Sequence, residues 1–182
     1  MSLRVRYFFY RLKINFFKTL YINKYSRFLA SVNSKEELYI FDLDNTLADT
    51  YPYFKQEDKY KMYKTLPAHQ NMLKIARDIF NSDIPAIILT ARDYRFKYVT
   101  KYWLDKYIPQ KKVPLFIVPT AKDKINYLSM ALNKVESITY YDDLSYNHEN
   151  GIVKFYNDEI KVVKQMPITY YGYDAINQIN SD

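Results

Sequence analysis

The run Leu38-Tyr39-Ile40-Phe41 is apolar and β-prone, and it stops abruptly at Asp42-Leu43-Asp44-Asn45-Thr46. A strand sends alternate side chains to the same side, so Asp42 and Asp44 share a face. At the C-terminal end of a parallel strand that face looks into the crevice where open α/β sheets bind ligands. Two carboxylates that close repel each other unless a cation or a shared proton compensates. An oxygen-rich set of this kind suits Mg²⁺. Asp42 is then placed to attack an electrophile and Asp44 to handle the proton. Taken alone, the stretch also suits a calcium-type loop or a solvated acidic turn.

The chain around it alternates helical and strand periodicity. Residues 31–37 are polar and read as a linker, residues 48–52 as a turn, and residues 55–64 as a charged stretch. Pro67 is expected to open a helix, with Met72, Leu73, Ile75, Ala76, Ile79 and Phe80 at helical spacing. Residues 84–89 are a continuous apolar run, as a strand buried on both faces requires. That run ends in Thr90-Ala91-Arg92-Asp93. A hydroxyl at a strand tip beside an arginine suits phosphate oxygens; a helix N-cap with a surface cation is the other reading.

A helix over residues 94–107 carries Phe96, Val99, Trp103 and Leu104 on its apolar side. Residues 113–118 make a third strand, with Pro114 either at its start or on an edge, which suits a peripheral strand. Thr120 to Lys124 lead into a further helix with Ile125, Leu128, Ala131 and Leu132. A fourth strand over residues 135–141 ends in Asp142-Asp143, a second acidic pair about 100 residues after the first. Here too the choice is between a bound cation and a solvated turn. Residues 151–156 and 160–163 read as two short strands around Asn157-Asp158-Glu159, a hairpin, and residues 170–179 as a final helix.

In this order the residues resemble the haloacid dehalogenase superfamily over roughly residues 38–145. Asp42, Asp44 and Thr46 match its Asp-x-Asp-x-Thr motif, Thr90 its second-strand hydroxyl, Lys124 (or Lys122) its lysine, and Asp142 with Asp143 its second acidic pair. The resemblance implies a three-layer, doubly wound, Rossmann-like, mostly parallel sheet. It also implies Mg²⁺ held by Asp42, Asp44, Asp142 and Asp143, with Asp42, Asp44 and Lys124 as the catalytic set. Thr46, Thr90 and Arg92 are then the substrate contacts. Asp44 points to a phosphatase working through an aspartyl-phosphate, since the family's dehalogenases lack this second Asp.

Arg92, together with Thr100-x-x-Trp103, is similar to the 3′-phosphatase domains of polynucleotide kinases. The intervals of 46 residues from Asp44 to Thr90 and 34 from Thr90 to Lys124 leave no room for a separate cap domain. The resemblance leaves the substrate as a nucleotide, a polynucleotide end or a sugar phosphate. Asn45 stands where the family often has Gly, and Asn tolerates a left-handed backbone. The rival expectation is a catalytically idle module that binds a membrane or partner through its first residues.

Composition matters mainly for those residues. A chain of 182 residues fits one domain with a real core. It has no Cys, which rules out disulfides and thiolate chemistry and agrees with a reducing cytoplasm. Residues 1–30 hold seven of the 27 basic residues and no acid; the other 20 are matched by 20 acidic ones. No uncharged run there, such as Tyr7 to Tyr10 or Thr19 to Asn23, approaches a signal sequence or a membrane span. Read as a helix, Tyr10, Ile14, Phe17, Tyr21, Tyr25 and Phe28 form one stripe. The stripe packs on the body, or the segment meets an anionic membrane surface or nucleic-acid phosphates. The expected division is a basic aromatic helical segment over 1–33 and a catalytic domain over 34–182.

Overall fold

The computed structural model describes residues 3–109 and 112–181, with side chains from residue 11 onward except that of residue 149. Its centre is β1 (Glu37–Phe41), flanked on one side by β2 (Ala86–Thr90) and on the other by β4 (Ser137–Tyr141). Strand β3 (Leu115–Ile117) lies beyond β2. Two short strands, β5 (Ser145–Tyr146) and β6 (Lys154–Phe155), pair antiparallel outside the main sheet. Strand β7 (Thr169–Tyr171) closes the main sheet beyond β4, giving the order β3-β2-β1-β4-β7 with every pairing parallel. The chain leaves β1 toward β2 and later returns to β1's other side with β4. That reversal is the switch point at which such sheets bind ligands.

The helices cover both faces, as buried parallel strands demand. Helix α1 spans Leu3–Ser31, α2 Lys59–Thr65, α3 Gln70–Asn81, α4 Lys97–Tyr107, α5 Ala121–Leu132, α6 Asn157–Gln165 and α7 Tyr173–Ser181. Helix α3 packs with α7 and α2 with α4, while α5 packs on β2 and β4 and against α1 and α6. Met72, Leu73, Ala76 and Phe80 form the buried face of α3. The architecture is the mostly parallel, Rossmann-like α/β sheet that the alternating periodicities imply.

Four local expectations need correction. Pro67 does not open α3: its carbonyl accepts from Asp49 N, and His69 N donates to Leu47 O, so the segment is held extended until Gln70. The charged stretch over residues 55–64 holds all but the last residue of α2, whose N-cap Asp58 accepts from Lys61 N at 2.9 Å. The hairpin over 151–163 is instead β6 followed by α6. Asp158 and Glu159 sit in that helix's first turn, where the helix dipole favours acids, and Val163 is buried. Tyr170 begins no helix; it lies in β7. Tyr170 and Tyr171 lie against Tyr140 and Tyr141 of the neighbouring strand, ring centroids 5.7 and 4.6 Å apart, and cross-strand aromatic pairs of this kind stabilise a sheet.

The N-terminal stripe packs on the body. Phe17 and Tyr21 stack on Tyr94 at 5.1 and 5.5 Å, and Tyr25 sits between Phe116 and Tyr127 at 5.0 and 4.7 Å. Tyr21, Tyr25 and Leu29 belong to the same apolar core as the sheet, so the later half of the 1–33 segment shares that core. Tyr10's side chain lies outside the described residues. Helix α1 also lines the sheet's β3 edge, where Lys24 Nζ donates to Leu115 O at 3.2 Å. Covering an edge in this way removes a site of strand-to-strand association.

Candidate active site

Register brings the two acidic pairs together. Phe41 pairs with Tyr141, and Asp42 N continues the ladder by donating to Tyr141 O at 2.8 Å. Asp42 and Asp142 therefore leave adjacent strand tips side by side. Asp42, Asp142 and Asp143 each offer an oxygen within 4.8 Å of the others', and all three are buried. Behind each pair the chain turns away through a left-handed residue, Asn45 (φ 56) and Leu144 (φ 43). Asn accepts that conformation readily; Leu does not. Leu144 is held there in part by its N–H, which donates to Asp142 Oδ1 at 2.9 Å.

Lys124 reaches into this cluster from the first turn of α5. Its Nζ donates to Asp142 Oδ2 at 2.6 Å and lies 2.8 Å from Asp42 Oδ1. The second contact is an ion pair, with the Lys124 ammonium the partner of Asp42 Oδ1. Tyr140 OH also donates to Asp142 Oδ2. The Thr90 hydroxyl beside Asp42 has no hydrogen-bond partner. These groups line a cavity of about 80 Å³ that also includes Asp44, Asn45, Ala121 and Tyr156.

Asp44 faces the other way. Arg92 grips it with two hydrogen bonds, Nε to Oδ2 at 2.7 Å and Nη2 to Oδ1 at 2.5 Å. Thr50 Oγ1 donates to it at 2.7 Å. Arg92 in turn donates to Thr100 Oγ1 at 3.2 Å and lies 4.1 Å from the centre of the Tyr63 ring. Burial pushes the Asp44 carboxyl up, but the Arg92 charge and the hydrogen bonds from Arg92 and Thr50 outweigh it and hold it below the usual range. Asp42 goes the opposite way: burial, which Lys124 offsets only in part, and the neighbouring Asp142, Asp44 and Asp143 push it well up. Asp143 is also raised, by burial first, against donation from His148 and Ser145.

The balance of buried charge tests whether a cation fits. Arg92 cancels Asp44, which leaves three carboxylates facing the single ammonium of Lys124. Like charges buried together are costly without compensation, and a divalent ion would neutralise the remainder. The donor set is all oxygen, as Mg²⁺ prefers, and Asp42, Asp142 and Asp143 bring their oxygens within 4.8 Å of one another. The residues present therefore fit the ion.

The sequence expectations meet the structure unevenly. Asp42, Thr90, Lys124, Asp142 and Asp143 converge on one hollow. Of the two lysines, Lys124 is in the crevice, while Lys122 is exposed and lines a different cavity. Two placements differ from expectation. Asp44's carboxylate lies outside the cluster of three, turned to Arg92, and Arg92 is occupied by Asp44. Thr46 is fully buried and lines neither the 80 Å³ cavity nor its neighbour, because Leu47 N and Ala48 N both bond back to Leu43 O and turn this loop inward.

Other side chains around the two cavities escaped the sequence reading. Thr50 lay in a turn-like stretch, Tyr63 in a charged one, and Ser145 and His148 carry no motif. Ser145 Oγ donates to Asp143 Oδ2 and lies 2.5 Å from His148 Nε2. His148, Tyr51, Phe54, Tyr63, Phe96 and Tyr146 help wall a second cavity of about 330 Å³. It joins the first through Asp44, Asn45, Ala91, Ser145 and Tyr156.

No protein-family profile matches the chain, and no curated protein does. Among solved structures, a chain of a structure titled "Structure of Pnkp1/Rnl/Hen1 complex" is similar at 20% identity and a TM-score of 0.49. The match covers 78% of this chain and 48% of that one, so this chain spans about half the length of its match. A likeness that faint carries no chemistry from one chain to the other.

Proposed function

We propose that the chain is a Mg²⁺-dependent phosphomonoester hydrolase that works through an aspartyl-phosphate on Asp42. The observation that carries this is the convergence of buried Asp42, Asp142 and Asp143 with Lys124, whose ammonium lies 2.8 Å from Asp42 Oδ1, on one phosphate-sized hollow. Asp42, Asp142 and Asp143 would hold the ion. When bound, Mg²⁺ supplies charge neutralisation to the phosphoryl group and keeps Asp42 ionised.

In this reading an Asp42 oxygen attacks phosphorus in line, and the bond from phosphorus to the ester oxygen breaks. Lys124 and the unpartnered Thr90 hydroxyl hold the phosphoryl oxygens. Asp44 stands where the small cavity opens into the large one, which is where a leaving oxygen would emerge, and it gives that oxygen a proton. The negative charge of the incoming phosphate beside Asp44 favours its uptake of that proton from solvent before the bond breaks. In the second step Asp44 takes a proton from water, whose oxygen attacks phosphorus and releases Asp42. The work is positioning and charge neutralisation, as phosphoryl transfer requires.

The aromatic walls of the 330 Å³ cavity favour an alcohol that carries a ring, such as a nucleotide, a polynucleotide end or a sugar. Hydrolysis of p-nitrophenyl phosphate with Mg²⁺, and its loss on chelation, tests the reaction. A panel of sugar phosphates, mononucleotides and 3′- and 5′-phosphorylated oligonucleotides then ranks the substrates. A chain that turns over none of them is the idle module instead.

A further inference from the structure

Helix α1 is only half used by the core. Among the described side chains its packing begins at Ile14 and follows Phe17, Tyr21, Tyr25 and Phe28. A different row stays in water. Leu12, Phe16 and Leu20 stand one helical turn apart and are 49%, 65% and 45% exposed. Side chains four apart lie on one face, and the next position on this row is Lys24. A soluble helix has no use for three large apolar residues in line on its wet side.

Lys24 leads into a basic slot. A cavity of about 260 Å³ between α1 and α4 is lined by Tyr21, Lys24, Lys97, Tyr98, Lys101 and Lys112. Burial first, then the charges of Lys97 and Lys112, lower the Lys24 ammonium. Independent elements of the fold therefore bring cations to one place at some electrostatic cost. Asp105 is the acid lining the slot, and it is paired with Lys101 at 2.6 Å. The sequence adds the asymmetry of residues 1–30, seven cations and no acid.

We propose that this face, the row Leu12-Phe16-Leu20 with the lysine slot at its end, rests on an anionic lipid bilayer. The apolar row enters the boundary between headgroups and acyl chains, and the lysines receive a lipid phosphate. Nucleic acid would satisfy the cations equally well, but it would leave Leu12 and Leu20 wet; a bilayer takes both. No described helix is long and apolar enough to cross a membrane, so the helix lies in the interface, as basic amphipathic helices do. Phe17 and Tyr21 of the same helix stack on Tyr94, four residues past the tip of β2. The bound helix thus keeps the crevice end of the sheet beside the lipid.

The test is co-sedimentation of the full chain with vesicles of phosphatidylcholine alone or mixed with equal parts of phosphatidylglycerol. Binding is expected only to the anionic vesicles and should weaken as salt rises. The Phe16→Ser, Leu20→Ser double variant should bind about tenfold more weakly or worse, with its thermal melt unchanged because both positions are exposed. Lys97→Glu, on α4, probes the slot independently of α1 and should weaken binding about fivefold or more. Equal binding to neutral vesicles, or none to anionic ones, overturns the proposal. So does undiminished vesicle binding by both variants. Tight binding of a single-stranded oligonucleotide that survives Phe16→Ser, Leu20→Ser would assign the face to nucleic acid.

Discussion

The crevice and the outer face of α1 both concentrate charge, and they manage it by opposite means. At the strand tips four carboxylates are packed against two cations: Asp42, Asp44 and Asp142 meet Lys124 or Arg92 at 2.5–2.8 Å, and Asp143 accepts from Ser145. On α1, Lys13 and Arg27 are exposed, while Lys18 lies 2.6 Å from Asp123 and Lys24 donates to Leu115 O at 3.2 Å. Buried charge is expensive and specific, and its groups titrate far from their usual values. Exposed charge is cheap, screened by salt and additive. Chemistry at a single phosphorus needs the first kind; adhesion to an extended anionic surface needs the second.

The strongest way to break this contrast is to neutralise the proposed nucleophile. Asp42→Asn should lower turnover roughly 10³-fold or more and leave the melting temperature unchanged or higher, since it removes one of several crowded carboxylates. Retained turnover would remove Asp42 from its role. The same variant has a pH signature. Because folding raises the Asp42 pKa, protonation stabilises the native state. That contribution is present below the unfolded value of ~3.9 and is lost as pH rises through the folded value. Without added metal, Asp42→Asn should match wild type in acid and become the more stable of the two toward neutral pH. Parallel melting curves at every pH would contradict the burial of an uncompensated carboxylate.

Next in size is Lys124→Met, which strips the cluster of its one ammonium. Removing one partner of a buried charge set costs about 3–5 kcal/mol, so chelated protein should melt well below wild type. Mg²⁺ should restore more stability to this variant than to wild type, and a melt insensitive to Mg²⁺ would argue against the three-carboxylate site. Arg92→Lys loses the two-pronged grip on Asp44, which an ammonium cannot reproduce. It should cost about 2 kcal/mol and move the acid limb of the pH–rate profile upward, because Asp44 loses the partner that depresses its pKa. An unmoved limb would mean that Asp44 is not the proton-transfer group. At the small end, Arg27→Gln on the exposed side of α1 should change stability by less than ~0.5 kcal/mol. A larger loss in a denaturant melt would mean that these surface charges are structural after all.

Much of the crevice was readable beforehand because its signals are local. A strand that ends in Thr90, or is followed at once by Asp42 or Asp142, announces both its own end and what stands there. The choice between Lys122 and Lys124 was not readable, because it depends on the rotational phase of α5, which Thr120 sets by capping through its side chain. Nor was the partnership of Asp44 with Arg92, 48 residues away. The C-terminal segment misled for a related reason. Tyr170 lies in a strand only three residues long, β7, because β4 offers it a parallel edge and Tyr140 offers a ring to pack on.

The amino-acid order alone determined the alternation of helix and strand, the acidic strand ends, and an N-terminal segment cationic throughout with an aromatic stripe. These follow from near-neighbour chemistry: side-chain periodicity, backbone preference and charge. Tertiary structure alone decided which carboxylates meet, that Arg92 would neutralise Asp44 and leave the other three short of a cation, and which side of α1 faces water. Each of these is a balance of burial and electrostatics between groups far apart in the chain, and it has no value until the strands lie side by side.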